Sequence, residues 1–238
     1  MNESILLPSL LAATVAVFAH ACFQLAVSVL TLLSSHSLGR KKSHLRLLHL
    51  STSYVGGAFF ATLGIVCFIT FALGALSAGG SYLGWALVAG LNTGVGVAVL
   101  AFYYRKGKGT MLWLPRPAVD FLGARAKKTN KSFEAFGLGI MTVVAELPFL
   151  IAPTATVALL IAKDFPANAA SLGWALVYVF AVTLPLLAVT FLISSGHRIS
   201  TIQRWREANK TFLQATSGGA LIVLGFFILA KFGFGGQS

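Results

Sequence analysis

Apolar residues run on along this chain instead of alternating. Stretches long enough for the roughly 20 residues a spanning helix needs fall at residues 5–33, 52–77, 83–104, 135–162, 171–194 and 212–234. The pattern predicts six transmembrane helices. Period-2 alternation in ten-residue segments, the mark of an outer-membrane barrel, is missing. Gly and Pro lie inside the apolar runs, as bundled membrane helices tolerate. The expected fold class is an all-α integral membrane protein. Three spans, a basic connection and three more suggest a duplicated unit, and an odd number of spans per copy inverts the second. The expected organisation is a first three-helix repeat over 1–104, a basic amphipathic cytoplasmic connection over 105–132 and a second three-helix repeat over 133–238.

The duplication leaves a trace in the residues. At an offset of 126, Ala19-His20-Ala21-Cys22-Phe23-Gln24-Leu25-Ala26-Val27 of the first span lies over Ala145-Glu146-Leu147-Pro148-Phe149-Leu150-Ile151-Ala152-Pro153 of the fourth. His20 falls on Glu146 and Phe23 on Phe149. The second and fifth spans give a shorter echo, Thr62-Leu63-Gly64 over Thr183-Leu184-Pro185. The third and sixth share a glycine-rich character.

Composition agrees with a bilayer environment: 57% of the 238 residues are hydrophobic and 10% charged, against a charged fraction of about 25% in soluble domains, and mean hydropathy is +0.84. The net charge of +12 could suggest nucleic acid, but its placement marks topology instead. Of 18 Lys and Arg, four follow the first span (Arg40, Lys41, Lys42, Arg46), eight lie between Arg105 and Lys131, and four follow the fifth span (Arg198, Arg204, Arg206, Lys210). These connections should be cytoplasmic, with both termini outside. Anionic lipid heads are their expected partners, and no nucleic acid is. Trp113 and Phe121 in the long connection, and Ile199, Ile202 and Trp205 at helical spacing after the fifth span, fit amphipathic segments on the leaflet surface.

Ala19-His20-Ala21 before Cys22 looks superficially like a cleavage site. However, no Lys or Arg precedes the run, Glu3 is acidic, and the run continues to Leu33, too long for a signal h-region. The first span is expected to be retained, in the bacterial inner (plasma) membrane. The only cysteines, Cys22 and Cys67, both lie in predicted spans, which offers neither a secreted disulfide framework nor a Cys-x-x-Cys zinc pattern.

Glu146 is the only carboxylate inside a predicted span. An ionisable group at that depth costs about 2.5 kcal/mol or more and marks a functional site by default. Thr142 lies one turn before it, and Pro148 and Pro153 follow. Each proline removes a donor from the helical ladder and leaves a carbonyl for cations or water; Pro185 does the same in the fifth span. On the first span His20, Gln24, Ser28 and Thr31 recur at four, four and three residues, a polar stripe on one helical face. The candidate substrate site is therefore His20, Glu146, Gln24, Thr142, Pro148 and Pro153, with Asn92 and Thr93 as secondary contributors. His20 and Glu146 are the candidate metal ligands. The bland alternative is that His20 and Glu146 simply lock the bundle by hydrogen bonding.

Ala135-Phe136-Gly137-Leu138-Gly139, Leu184-Pro185-Leu186-Leu187 and Ser217-Gly218-Gly219-Ala220-Leu221-Ile222-Val223-Leu224-Gly225 resemble helices of the DsbD/CcdA-like branch of the lysine-exporter superfamily. The resemblance implies two inverted three-helix repeats with the working residues on the first helix of each. Redox members carry a cysteine beside prolines on both of those helices. Here Cys22 stands at the first position without the prolines, and Glu146-Leu147-Pro148 keeps the proline without the cysteine. Only Cys67 could serve as a second thiol. The wider superfamily, which exports amino acids and divalent metals, suits a His/Glu pair better.

Three functions follow. The first is a secondary transporter of a small cationic solute, a metal ion or amino acid, through a midplane site, with no resident cofactor beyond a bound cation or coupling proton. The second is a transmembrane thiol-disulfide relay through Cys22 and Cys67, the one case in which the chain would be an oxidoreductase. The third is a scaffold whose basic loops dock a partner. Homo-oligomerisation is left open by the sequence. Soluble-type catalysis is poorly supported, since six acidic residues assemble no paired acids and no Ser-His-Asp arrangement occurs.

Overall fold

The computed structural model describes residues 3–23, 25–38, 44–77, 82–102, 116–164, 169–195 and 199–233. Among them all regular structure is helical: α1 (Glu3–Ala21), α2 (Leu25–Leu38), α3 (His44–Ser77), α4 (Tyr82–Phe102), α5 (Arg116–Lys128), α6 (Ser132–Asp164), α7 (Ala169–Ser194), α8 (Ile199–Ala208) and α9 (Lys210–Ile228), the last continued by a π-helical turn over Leu229–Gly233. Five helices, α3, α4, α6, α7 and α9 with its π turn, are long and apolar enough to cross a membrane, and the bent pair α1–α2 brings the number to six if it is counted as one span. The protein is an integral membrane protein. Large apolar side chains such as Phe68, Phe71, Phe180 and Phe191 are exposed on the bundle surface, where lipid tails are as apolar as they are.

The first span departs from expectation. It is not one helix but two, α1 ending at Ala21 and α2 beginning at Leu25 with a bend of 41° between them. The polar stripe of His20, Ser28 and Thr31 is therefore split between α1 and α2. The fourth span departs in the opposite sense: α6 continues for 33 residues through both Pro148 and Pro153. Its start is secured by Glu134, whose Oε2 accepts the N–H groups of Asn130 at 3.0 Å and Lys131 at 3.4 Å. This is the returning half of a capping box, satisfying donors that the first turn leaves without partners.

α6 is also the central helix. Half of its most apolar window is buried inside the bundle, against 17% for α3. It packs against α3, α1, α4, α2 and α7. The α3–α6 crossing is a backbone contact: a Cβ on Gly139 would collide with the carbonyl oxygen of Tyr54, and one on Gly57 with that of Phe136. Only glycine allows helices to approach this closely. The α4–α9 crossing repeats the device, since a Cβ on Gly96 would lie 2.8 Å from the Gly218 carbonyl oxygen.

The long connection contributes to the bundle. Its helix α5 packs on α2 and α6, burying Leu122 and Ala126 while Phe121 is exposed; Trp113 lies outside the described residues. In α8, Arg204 and Trp205 are exposed.

Candidate functional site

The break in the first span and the acid in the fourth meet. α1 closes with Cys22 N–H donating to the carbonyls of Phe18 and Ala19 at 3.2 and 3.3 Å, and Phe23 N–H to that of His20 at 3.1 Å. The chain then turns and α2 begins at Leu25, whose N–H donates to Glu146 Oε1 at 3.0 Å. The first N–H groups of a helix have no partner within it, and inside a bilayer water does not supply one. A carboxylate from another helix does so here, where the positive end of the α2 dipole also favours a negative charge. Glu146 itself is 2% exposed. α3 grips the same turn from its other side: the Tyr54 hydroxyl donates to the Ala26 carbonyl at 2.9 Å.

His20, 8% exposed, has its hydrogen bond with a different partner. Its Nδ1 lies 2.7 Å from the Tyr178 hydroxyl of α7, and that hydroxyl lies 3.5 Å from Thr154 Oγ1 of α6. The polar string Thr154–Tyr178–His20 thus ties α6, α7 and α1 together.

Between these contacts is a cavity of about 40 Å³ whose lining includes His20, Phe23, Thr62, Glu146, Thr183 and Pro185. It has room for about three waters at most. Thr62 and Thr183 donate to the carbonyls of Ala58 and Val179, each at 2.9 Å. Their hydroxyl protons are thereby used within their own helices, and what each hydroxyl oxygen has left to offer is acceptor capacity. With the carboxylate, this lining suits water or a small cation better than an anion. Both members of the aligned pairs His20/Glu146 and Thr62/Thr183 line this one cavity. A third aligned pair is in contact, with the Phe23 and Phe149 rings 6.2 Å apart between centroids.

The other expected residues divide. Gln24 lies outside the described residues. Thr142 is fully buried, donates to the Leu138 carbonyl at 2.7 Å and adjoins the Tyr54 hydroxyl. Pro153 is buried, but Pro148 is on the exposed side of α6, and neither belongs to the cavity lining. Pro185 does. Asn92 ties α4 to α6 through Thr156 Oγ1 at 2.8 Å and the Ala152 carbonyl at 3.3 Å, and Thr93 bonds the Ala89 carbonyl of its own helix at 3.0 Å. Both are structural contacts. Thr31 likewise bonds the Ser28 carbonyl at 2.8 Å. Cys22 is buried at the break, whereas Cys67 is exposed on α3. Among the described residues no group of three or more His, Cys, Asp or Glu comes together as a metal site; His20 and Glu146 are a pair.

Tyr54 and Tyr178 were not among the expected site residues. A signal exists for Tyr178, which lies well inside the apolar run at 171–194, away from the interfacial belts where tyrosine is usual, and so needs a buried partner for its hydroxyl; Tyr54 stands at the edge of the run at 52–77 and carries no such signal. No family model matches the chain, and no curated protein or solved structure is significantly similar to it.

Proposed function

We propose that the protein is a secondary transporter moving a small cationic solute through the His20–Glu146 cavity, which lies between two inverted repeats. The observation that carries the reading is the convergence of both aligned pairs, His20 with Glu146 and Thr62 with Thr183, on one cavity. Residues related by an internal two-fold axis meet where that axis passes, and transporters built from inverted repeats bind substrate there. The helix neighbours support the same relation. Exchanging spans 1 with 4, 2 with 5 and 3 with 6 converts the α3–α6 packing into that of α7 on α1 and α2, and the α1–α9 packing into α4–α6. The α4–α9, α3–α7 and α1–α6 packings exchange into themselves. The thin α3–α4 contact has no counterpart among the principal packings.

Glu146 has two duties in this reading. As a carboxylate it both compensates a cation in the cavity and holds the Leu25 N–H that starts α2. Protonation weakens both, because a charged acceptor bonds more strongly than a neutral one. Exchange of a proton for a cation is thereby coupled to the bend of the first span. His20 faces the same space while anchored to Tyr178. A cavity of about 40 Å³ is too small for a whole amino acid, which favours an inorganic cation in this conformation. The basic segments around α5 and α8 face the cytoplasmic leaflet and its anionic lipids, with both termini outside.

Vesicles reconstituted with the purified protein test the reading with a panel of divalent metals and basic amino acids. Glu146→Gln should abolish movement of the solute while retaining the fold, because the amide oxygen still accepts from Leu25, and His20→Ala should slow it. Unchanged transport in both variants across the panel would sink the proposal.

A further inference from the structure

A second cavity lies apart from the one between the aligned pairs. It is a groove of about 440 Å³ between α1, α6 and α7, at the end of the bundle away from the basic connections, with Ser9, Ala13, Leu160, Asp164, Trp174 and Tyr178 in its lining. A volume of that order matches drug-sized ligands, and the lining is apolar except at a few points. Those points have a consistent character. Asp164 is half-buried, and among the described residues it has no ion-pair or hydrogen-bond partner. Its neighbour Lys163 does not neutralise it: the Lys163 ammonium is 4.6 Å from the Phe232 ring centroid and 5.3 Å from that of Trp85, two residues that are not in the groove lining. Ser9 Oγ is buried and has no hydrogen-bond partner among the described residues. Trp174 and Tyr178 add aromatic rings, which attract cations through their faces.

An apolar channel for lipid chains requires none of these features, whereas a carboxylate and aromatic rings beside an apolar groove complement a cation with an apolar body. We infer that this groove binds a lipophilic cation, its apolar body lying along α1 and α7 and its positive centre held between Asp164 and Trp174. The site is independent of the transport reading, since binding is measured without movement of solute and without Glu146.

The test is equilibrium binding of radiolabelled tetraphenylphosphonium to the full chain in phosphatidylcholine nanodiscs, with triphenylphosphine oxide as the neutral competitor. Saturable binding is expected, displaced by the unlabelled cation and not by the neutral compound. Asp164→Asn should weaken it by about tenfold and Trp174→Ala by about threefold, the range expected for losing one charge or ring contact. Ala13→Phe, which fills the groove, should abolish it, while Glu146→Gln should leave it unchanged. Asp164 is near the helix end and only half-buried, so its variant should fold even where Ala13→Phe does not. Non-saturable uptake, equal displacement by the neutral compound, or unaltered affinity in Asp164→Asn would each overturn the site and mark the groove as a place for lipid chains.

Discussion

The first and fourth spans differ in a way that reverses their sequences. Residues 22–24 contain no proline, yet α1 ends at Ala21 and α2 begins at Leu25 with a bend of 41° between them. The fourth span carries Pro148 and Pro153, yet α6 remains helical for all 33 residues. A proline deletes one donor and crowds one carbonyl, and neighbouring helices in a membrane bundle can absorb both effects. A break asks for more, because a new helix start exposes several N–H groups at once. The first span can break where it does because Glu146 meets the Leu25 N–H and Tyr54 meets the Ala26 carbonyl. The position of a helix end in this bundle follows its partners.

The comparison can be broken most severely at the crossing that fixes α6. Gly139→Ala places a methyl group against the Tyr54 carbonyl, backbone on backbone, where no rotamer change gives relief. It should cost about 3 kcal/mol in reversible unfolding in detergent, and a loss below about 1 kcal/mol would mean that α3 and α6 do not approach so closely. Next, Glu146→Ala removes the acceptor at the break and should cost about 2 kcal/mol, the scale of a buried donor left without a partner. Glu146→Gln should recover most of that stability, and equal losses in the two variants would show that the cap does not hold the break. The smallest effect belongs to Pro148→Ala. Since Pro148 is exposed and α6 continues through it, stability should change by no more than about 0.5 kcal/mol; a larger change would mean that the proline shapes the fourth span.

Much of the architecture was legible in one dimension. Each predicted apolar run falls on a long helix or, for the first, on the bent pair α1–α2, because a bilayer imposes a minimum length that can be counted along the chain; α3 nevertheless begins at His44, well before the run at 52–77. His20 and Glu146 were conspicuous for a similar reason, as ionisable groups where such groups are costly, and both line the cavity. Prolines were less reliable guides. Pro148 and Pro153 pointed to carbonyls freed at the site in the fourth span, yet α6 stays helical and neither proline lines the cavity, while Pro185, noted only in passing, does. Tyr178 carried a weaker signal, because a phenol within an apolar run can face lipid, an interface or a buried partner.

The sequence by itself determined that the chain is a helical bundle in a membrane, where its long apolar helices lie and which residues are costly to bury there. The tertiary structure alone decided where the first span breaks and what the buried groups bond to. The reason is reach: hydrophobic length is a local property, whereas the carboxylate that caps α2 comes from 121 residues further along, and the phenol on His20 from 158. Whether a helix continues or ends at such a point depends on whether those distant groups arrive.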